Sequence, residues 1–154
     1  MGLMTITRGD LDDPRVCRLL AHHVASARAA TAPGSAHALD LEGLKGADIL
    51  FWTAWGEDRL LGVGALKLLS IDHGEIKSMH TDSGFRRKGV GTAMLLHMID
   101  AARALGIRRL SLETGSWDYF APARELYKQH GFVECPPFGA YSADANSVFM
   151  SRDL

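Results

Sequence analysis

The stretch from His73 to Leu105 constrains the fold more than any other part of the sequence, because it joins a strand, a glycine-bearing turn and a helix. Gly74 to Thr81 has the pattern of a strand, and a helix is predicted from the turn to about Leu105, just before Gly106. The turn between them reads FRRKGVG, from Phe85 to Gly91. The first N–H groups of a helix have no partner inside it, and its dipole favours an anion. The stretch therefore predicts a phosphate-binding turn.

Three phosphate-binding motifs can be compared with this turn. A Walker loop needs Lys and then Ser or Thr after its second glycine, where this chain has Val90 and Gly91, so nucleoside triphosphate chemistry is disfavoured. A Rossmann turn needs a small residue where Met94 stands. The third motif, R-x-x-G-x-G, is met by Arg86, Gly89 and Gly91. An ordinary basic helix start also fits these residues, so the rest of the chain has to decide.

Strand and helix patterns along the chain predict a mixed α/β fold, organised as one domain over residues 1–154. Hydrophobic residues make up 47% of the sequence, which is typical of a globular protein with a real core. A helix is predicted to start at Pro14, and Gly62 and Gly64 predict a bulge or a close approach within a strand. Strands are predicted at Leu3–Arg8, Ile49–Trp55, Leu60–Leu69, Gly74–Thr81, Arg109–Glu113, Phe132–Glu134 and Ser147–Met150, and further helices at Leu41–Lys45 and Ala123–His130.

Composition excludes several classes of function. The net charge is −1 and the basic residues cluster only at 86–88 and 108–109, which argues against a nucleic-acid surface. Neither an apolar run of membrane-spanning length nor a signal-peptide pattern is present, so no membrane association is expected. Cys17 and Cys135 have no metal-binding or redox spacing. We therefore expect a reduced, cytoplasmic protein without a metal.

A second motif follows the first by about forty residues. The segment ARELYKQHGF, from Ala123 to Phe132, carries Tyr127, with Gly131 and Phe132 four and five residues after it. The two motifs, in this order and within this succession of strands and helices, resemble the hallmarks of the GCN5-related N-acetyltransferase (GNAT) superfamily. The resemblance covers nearly the whole chain. It implies a mostly antiparallel, twisted sheet of six to seven strands flanked by about four helices, and an acetyl-CoA-dependent N-acetyltransferase.

The resemblance also implies where the coenzyme would bind. The end of the fourth strand would pair through its backbone with the pantetheine arm, as an added strand does. N–H groups from Arg87 to Thr92 would hold the pyrophosphate, with Arg86 and Lys88 adding charge at its edge. Many members carry Asn where Phe120 stands, so that contact to pantetheine is in question here. The predicted coenzyme-binding set is Met79, His80, Thr81, Arg86, Arg87, Lys88, Gly89, Val90, Gly91, Thr92 and Phe120.

Acetyl transfer to a primary amine by direct attack in a ternary complex needs a base, oxyanion donors and an acid for the departing thiolate. Tyr127 is the predicted acid by the resemblance, although a tyrosine packed on a helix face is the alternative. Glu75 matches the catalytic glutamate of histone-modifying members and could act as base through water; equally, it could pair with Lys77 and do no chemistry. Glu113 and His80 are the other candidates for the base, and a backbone N–H near His80 could bind the oxyanion.

Strand alternation predicts how the side chains of the fourth strand divide between the two faces of the sheet. One face receives Glu75, Lys77, Met79 and Thr81, and the other receives Ile76, Ser78 and His80. The loop at Ala29–Ala38, which is rich in small residues, Pro and Gly, is predicted to be mobile. It could be a lid over the acceptor or a plain connector.

The acceptor is not specified by the sequence. A small-molecule amine and a protein amine both remain open, and a homodimer would be in keeping with the superfamily. The alternative to an enzyme is a non-catalytic module of the same fold that senses an acyl-CoA or binds a protein. The intact R-x-x-G-x-G motif and Tyr127 favour the enzyme.

Overall fold

The computed structural model describes residues 3–86 and 88–154; Arg87, one of the predicted pyrophosphate-binding residues, lies outside them. Over the described residues the chain forms seven strands and four α-helices, in the predicted order. No helix in these two ranges is both long and apolar enough to cross a membrane. The elements are β1 Met4–Arg8, α1 Pro14–Ala29, α2 Leu41–Leu44, β2 Ile49–Gly56, β3 Arg59–Leu68, β4 His73–Thr81, α3 Val90–Ala104, β5 Arg109–Gly115, α4 Ala121–Gln129, β6 Val133–Glu134 and β7 Ser147–Asp153.

The strands form one sheet in the order β1-β2-β3-β4-β5-β7-β6. Every neighbouring pair is antiparallel except β4 and β5, which run parallel because α3 forms the crossover between them. The predicted mostly antiparallel sheet is therefore confirmed. The ladder between β4 and β5 runs from the pair His73–Arg109 to the pair Ile76–Leu112, although both strands continue beyond it. The far ends of these two strands are thus free to diverge.

A β-bulge in β4 changes which face of the sheet the end of this strand presents. Ala65 of β3 pairs with Lys77 and Val63 pairs with His80, so two residues of β4 lie opposite Gly64. Within the bulge, Ser78 has a φ of 55°, in the left-handed region that a non-glycine residue rarely adopts. Strict alternation predicts the wrong face for every residue after it.

The two faces can be assigned from the packing. His80 shares the face of Glu75 and Lys77, where its ring packs against His23 of α1. Met79 instead packs into the core beneath α3. The bulge therefore places the side chain of His80 on the α1 side and that of Met79 on the α3 side.

Helix α3 lies directly on the centre of the sheet. Its apolar residues Met94 and Met98 are fully buried in the larger of two cores, and α1 covers a smaller core on the opposite face. Gly64 allows this approach, since a Cβ there would lie 2.8 Å from Cγ of Met94. The predicted close approach at Gly62 and Gly64 is thus confirmed. It brings the N-terminus of α3 to the end of β4.

The loop before α2 is tied to distant parts of the chain, and its mobility stays a prediction. The hydroxyl of Ser35 donates a hydrogen bond of 2.6 Å to Asp144, which lies 109 residues away in the sequence. Asn146, two residues further on, accepts a hydrogen bond of 2.9 Å from the indole of Trp117. The loops before α2, before β7 and after β5 are therefore joined to one another. Sequence periodicity carries no signal for such long-range ties.

Candidate active site

A cavity of about 700 Å³ lies where the ends of β4 and β5 diverge. It reaches both faces of the sheet. On the α3 side it is lined by Met79, Thr81, Phe85, Arg86, the first turn of α3, Phe120, Ala123, Leu126 and Tyr127. On the α1 side it is lined by His23, Ala27, Thr31, residues 35–38, Lys77, His80 and Glu113.

The N-terminus of α3 opens into this cavity with its backbone N–H groups available. Gly89 precedes the helix with a φ of 80°, and no side chain caps the helix among the described residues. The first helical hydrogen bond runs from Ala93 N–H to the Gly89 carbonyl at 3.0 Å, so the N–H groups of Val90, Gly91 and Thr92 are the ones that a helix leaves unpaired. Arg86 and Lys88 are exposed in the same turn. The arrangement suits a phosphate-bearing ligand.

Tyr127 lies on the wall of the cavity formed by α4. Only 6% of the residue is exposed, and its ring packs edge-on against Phe132 with a centroid separation of 5.8 Å. Burial raises the pKa of the Tyr127 phenol well above its ordinary value. The hydroxyl therefore stays protonated at neutral pH and can serve as a proton donor.

Phe120 lies in the cavity wall between β5 and α4. Its ring covers Gly115, where a Cβ would collide with it, so glycine is required for this packing. The Gly115 carbonyl accepts a hydrogen bond of 2.7 Å from Arg124, which fixes the same corner. An apolar ring thus stands where many members of the superfamily have an amide, and it can contribute packing but no hydrogen bond.

Glu75 is held in a buried network on the α1 side of the sheet. One oxygen of its carboxylate accepts hydrogen bonds from the Tyr141 hydroxyl at 2.6 Å and the Lys77 ammonium at 3.1 Å. Lys77 also donates to the Tyr141 oxygen at 2.9 Å. The side chains of Glu75 and Lys77 are only 4% and 9% exposed. The sequence allows Glu75 to be either a base that acts through water or the ion-pair partner of Lys77. The structure contains the ion pair.

Tyr141, which belongs to this network, and Glu113 on β5 both have raised pKa values. Burial, and then the hydrogen bond and charge of Glu75, raise the pKa of Tyr141. Burial also raises the pKa of Glu113, although the charges of His37 and Lys77 partly oppose this. Glu113 lines the cavity, whereas Glu75 is not among the described residues that do so. Of the two carboxylates, Glu113 is the one placed to meet a ligand.

Three histidines meet on the α1 side. Nδ1 of His80 lies 3.0 Å from Nδ1 of His23, and the ring of His22 meets that of His80 edge-on at 5.7 Å. Burial, followed by the positive charge of neighbouring groups, lowers the pKa of both His23 and His80 to about 4. Both rings are therefore neutral at pH 7. Within residues 3–86 and 88–154, no three His, Cys, Asp or Glu side chains are grouped so that they could hold a metal ion.

Unpaired polar atoms are concentrated in the same part of the cavity. Nε2 of His80, Oγ1 of Thr31 and Oγ of Ser78 are buried and have no hydrogen-bond partner within the described residues. Thr31 and Ser78 are each 7% exposed, and all three residues line the cavity. Buried polar atoms are normally paired, so this concentration is typical of a ligand-binding chamber.

Comparison with known proteins identifies the family. The sequence profile described as "Acetyltransferase (GNAT) family" matches residues 20–132. The chain belongs to the GNAT family. The predicted superfamily and enzyme class, an acyltransferase, are thereby confirmed. This GNAT chain is 49% identical over 151 residues to the N-acetyltransferase YsnE of Bacillus subtilis (strain 168), itself uncharacterised, and the match covers 98% of this chain and 100% of YsnE.

Solved structures share the fold. A Klebsiella pneumoniae protein, provisionally named an acyl-CoA N-acyltransferase, superposes with a TM-score of 0.80 at 25% identity, covering 99% of this chain and 98% of that one. A GNAT family acetyltransferase from Elizabethkingia anophelis, crystallised with acetyl-CoA bound, superposes with a TM-score of 0.72 at 17% identity, covering 98% of each chain. The second likeness concerns the fold alone.

The predicted site residues that line the cavity of this GNAT enzyme therefore divide between its α3 side and its α1 side, which we call the coenzyme chamber and the acceptor chamber. The predicted coenzyme residues around the α3 N-terminus lie together on one side, apart from Arg87, which is not described. His80 is the exception, because the bulge sends its side chain to the other side. Sequence reasoning did not find the roles of Tyr141, His23, Thr31 and Ser78, since each depends on contacts between distant segments.

Proposed function

We propose that this GNAT enzyme transfers an acetyl group from acetyl-CoA to a small primary amine by direct attack in a ternary complex. The observation that carries the proposal is the single cavity that runs between the diverging ends of β4 and β5. One of its ends is a helix N-terminus suited to a pyrophosphate, and the other is a chamber with unpaired polar atoms. Two substrates that enter from opposite faces would meet between the strands. The acetyl-CoA bound in the Elizabethkingia structure supports the choice of donor.

On the coenzyme side, the N–H groups of residues 90–92 would bind the pyrophosphate, and Arg86 and Lys88 would add positive charge. The pantetheine arm would lie between the end of β4, at Met79–Thr81, and the ring of Phe120. The backbone of β4 supplies hydrogen bonds there and Phe120 supplies apolar contact. In this assignment Phe120 replaces a hydrogen bond to the pantetheine arm with an apolar contact, and it does not block the space that the arm would occupy.

The proposed chemistry removes one proton from the ammonium form of the acceptor, after which the amine nitrogen attacks the thioester carbonyl carbon. A tetrahedral oxyanion forms, and the carbon–sulfur bond then breaks as the second nitrogen proton is lost. Tyr127 would donate its proton to the departing sulfur and take up the second proton that leaves the nitrogen. Its place in the cavity wall supports this role, whereas its raised pKa keeps the phenol protonated and makes it a weaker acid.

The assignment of the base to Glu75 needs revision within this proposal. Glu75 would have to leave both Lys77 and Tyr141 to reach the acceptor, and breaking a buried ion pair costs several kcal/mol. We assign Glu75 instead to holding Lys77 and Tyr141 beneath the acceptor chamber. Glu113 and His80 remain as the groups in the cavity wall that can take the proton.

The acceptor is proposed to be small and cationic. The loop at 31–38, held to Asp144 by Ser35, covers the α1 side of the cavity and limits the size of what can enter. The charge of Lys77 is balanced by Glu75, so the carboxylate of Glu113 favours an ammonium group at the entrance to the reaction site. A small alkyl or aryl amine satisfies both conditions.

Thiol release from acetyl-CoA in the presence of a panel of primary amines tests the proposal. We expect release that depends on the amine, acetylated product by mass spectrometry, and a much lower kcat for Tyr127→Phe. Binding of acetyl-CoA without turnover of any amine in a panel that spans small, polybasic and peptidyl amines would instead support the acyl-CoA-sensing alternative.

A further inference from the structure

We propose that His80 accepts the proton of the acceptor amine at Nε2, and that His23 is a positioning residue that fixes the tautomer of His80. The inference rests on the proposed function and deepens it, because it names the group that activates the nucleophile. Three observations carry it: the contact between the two rings, the free nitrogen in the cavity and the bulge that turns His80 towards it.

The contact between the rings is compatible with a tautomer of His80 whose Nε2 is free to accept a proton. Nδ1 of His80 and Nδ1 of His23 lie 3.0 Å apart, which is a hydrogen-bond distance and requires one hydrogen between them. When that hydrogen belongs to His80, its Nε2 carries a lone pair. Nε2 is buried, faces no partner in the described part of the chain and belongs to a residue of the cavity wall. In the proposed tautomer, His23 is the acceptor of the Nδ1–H of His80.

The bulge explains how the side chain of His80 reaches the α1 side of the sheet. Without the extra residue at Ser78, alternation would direct His80 to the opposite face, into the packing beneath α3. With it, the His80 side chain enters the acceptor chamber, while its neighbours Met79 and Thr81 line the coenzyme side. The proposed base and the proposed thioester site are therefore adjacent along one strand.

The proton transfer balances without any further reactant. Nε2 of His80 takes one proton from the ammonium group of the acceptor, and the resulting imidazolium donates from Nδ1–H to His23. After the amide product has left, the proton passes from Nε2 to solvent. The net reaction converts an ammonium ion and a thioester to an amide, a thiol and one free proton.

Burial and the charged groups around His80 keep its ring neutral at pH 7. His22 and His23 face it from α1, and Arg86 and Asp82 face it from the turn after β4. Burial acts most strongly, followed by the positive charges of His23, Arg86 and His22, while Asp82 opposes them. Together they lower the pKa of His80 to about 4. The ring is therefore unprotonated before the reaction, and the same lowering of its pKa makes it a weaker base.

Steady-state kinetics on a set of matched variants test the proposal, with thiol release measured for the amine found active in the panel. His80→Gln places an amide near the Nε2 position but cannot take a proton, so we expect kcat to fall about 100-fold or more, with acetyl-CoA binding unchanged in a thermal-shift titration. His23→Leu removes the acceptor for Nδ1–H, and we expect a loss of about 10-fold with a displaced acid limb of the pH profile. His23→Asn, whose carbonyl oxygen can occupy the position of Nδ1, should restore most of kcat.

Two variants separate this inference from its rivals. His97→Gln changes a histidine on α3 that is not among the residues lining the cavity, and it should leave kcat and the pH profile as in the wild type. Glu113→Gln should raise the KM for the amine more than it lowers kcat, because Glu113 attracts the ammonium group. If Glu113→Gln abolishes kcat while His80→Gln retains it, Glu113 is the base and the inference is wrong.

Nitrogen-15 NMR of the histidine rings gives a readout that does not depend on turnover. In the wild type we expect His80 protonated at Nδ1 and His23 unprotonated at Nδ1. The Nδ1 protonation of His80 should persist in His23→Asn and be lost in His23→Leu. The opposite tautomer in the wild type would overturn the inference even if the enzyme is active. Failure of wild-type protein to acetylate any amine would overturn the proposed function, and the inference with it, whatever the tautomers.

Discussion

Acid should destabilise this protein through His23 and His80, and the size of the effect follows from their burial. Both rings are neutral in the folded state, with pKa values lowered to about 4 from an ordinary value of 6.5. The unfolded chain therefore binds more protons than the folded one between about pH 6.5 and pH 4. The stability contributed by the neutral pair is complete above pH 6.5 and is lost as the pH falls through this window.

The magnitude can be worked from the two pKa values. Between pH 7 and pH 5, one histidine with these values lowers the free energy of unfolding by about 2 kcal/mol. The two rings share a hydrogen bond and do not titrate independently, so the pair should contribute about 2 to 4 kcal/mol. For a protein of this size, that is a large fraction of a typical total of about 5 to 15 kcal/mol.

Urea denaturation at constant ionic strength, repeated at pH 7, 6 and 5, measures the effect. The matched control is the double variant His23→Leu/His80→Leu, which keeps the other histidines and so cancels their contribution. We expect the wild type to lose about 2 to 4 kcal/mol more than the double variant between pH 7 and pH 5. Equal losses in the two proteins, to within about 0.5 kcal/mol, would refute the reasoning that burial keeps these rings neutral.

Three further substitutions test other parts of the structure. Lys77→Met leaves the buried carboxylate of Glu75 without its cation and should lower the free energy of unfolding by about 3 kcal/mol or more, whereas adding Glu75→Leu should recover most of that loss; urea denaturation measures both. Gly89→Ala meets no atom within 4 Å, yet its φ of 80° should cost about 1 kcal/mol in the same assay. Ser35→Ala breaks the bond to Asp144 and should raise the KM for the amine but not that for acetyl-CoA.

Each of these predictions has an outcome that contradicts it. A Lys77→Met protein as stable as the wild type would show that the buried carboxylate of Glu75 does not need the positive charge of Lys77 for the fold to be stable. A fully stable Gly89→Ala protein would mean that the turn before α3 relaxes to a negative φ. An unchanged KM for the amine in Ser35→Ala would mean that the loop at 31–38 does not help to form the acceptor chamber.

The sequence predicted most reliably the features that depend on residues close together along the chain. The strand–turn–helix at the centre of the chain, the glycine that precedes α3 and the order of the strands follow from local periodicity and from the backbone freedom of Gly89. The two family hallmarks led to the right family for the same reason, since they are continuous segments.

The α1 side of the cavity, where we propose that the acceptor binds, could not be predicted in the same way, because contacts between distant segments build it. No local signal marks the bulge at Ser78, and strict alternation therefore assigned His80 to the wrong face. The two interpretations of Glu75 could not be separated without Tyr141, which lies 66 residues away and shares its carboxylate oxygen with Lys77. The ends of β5 and β7, which extend to Gly115 and Asp153, are likewise set by their mutual pairing rather than by their own sequences.

A thermal-shift titration with acetyl-CoA, CoA and ATP tests most directly the central claim that the N-terminus of α3 and the cleft beside it form an acetyl-CoA site. At about 100 times the dissociation constant, binding stabilises the folded state by about 2.7 kcal/mol, which corresponds to a rise in Tm of several degrees. We predict such a rise with acetyl-CoA and with CoA, and a much smaller one with ATP. No rise with either coenzyme form, or an equal rise with ATP, would contradict the claim.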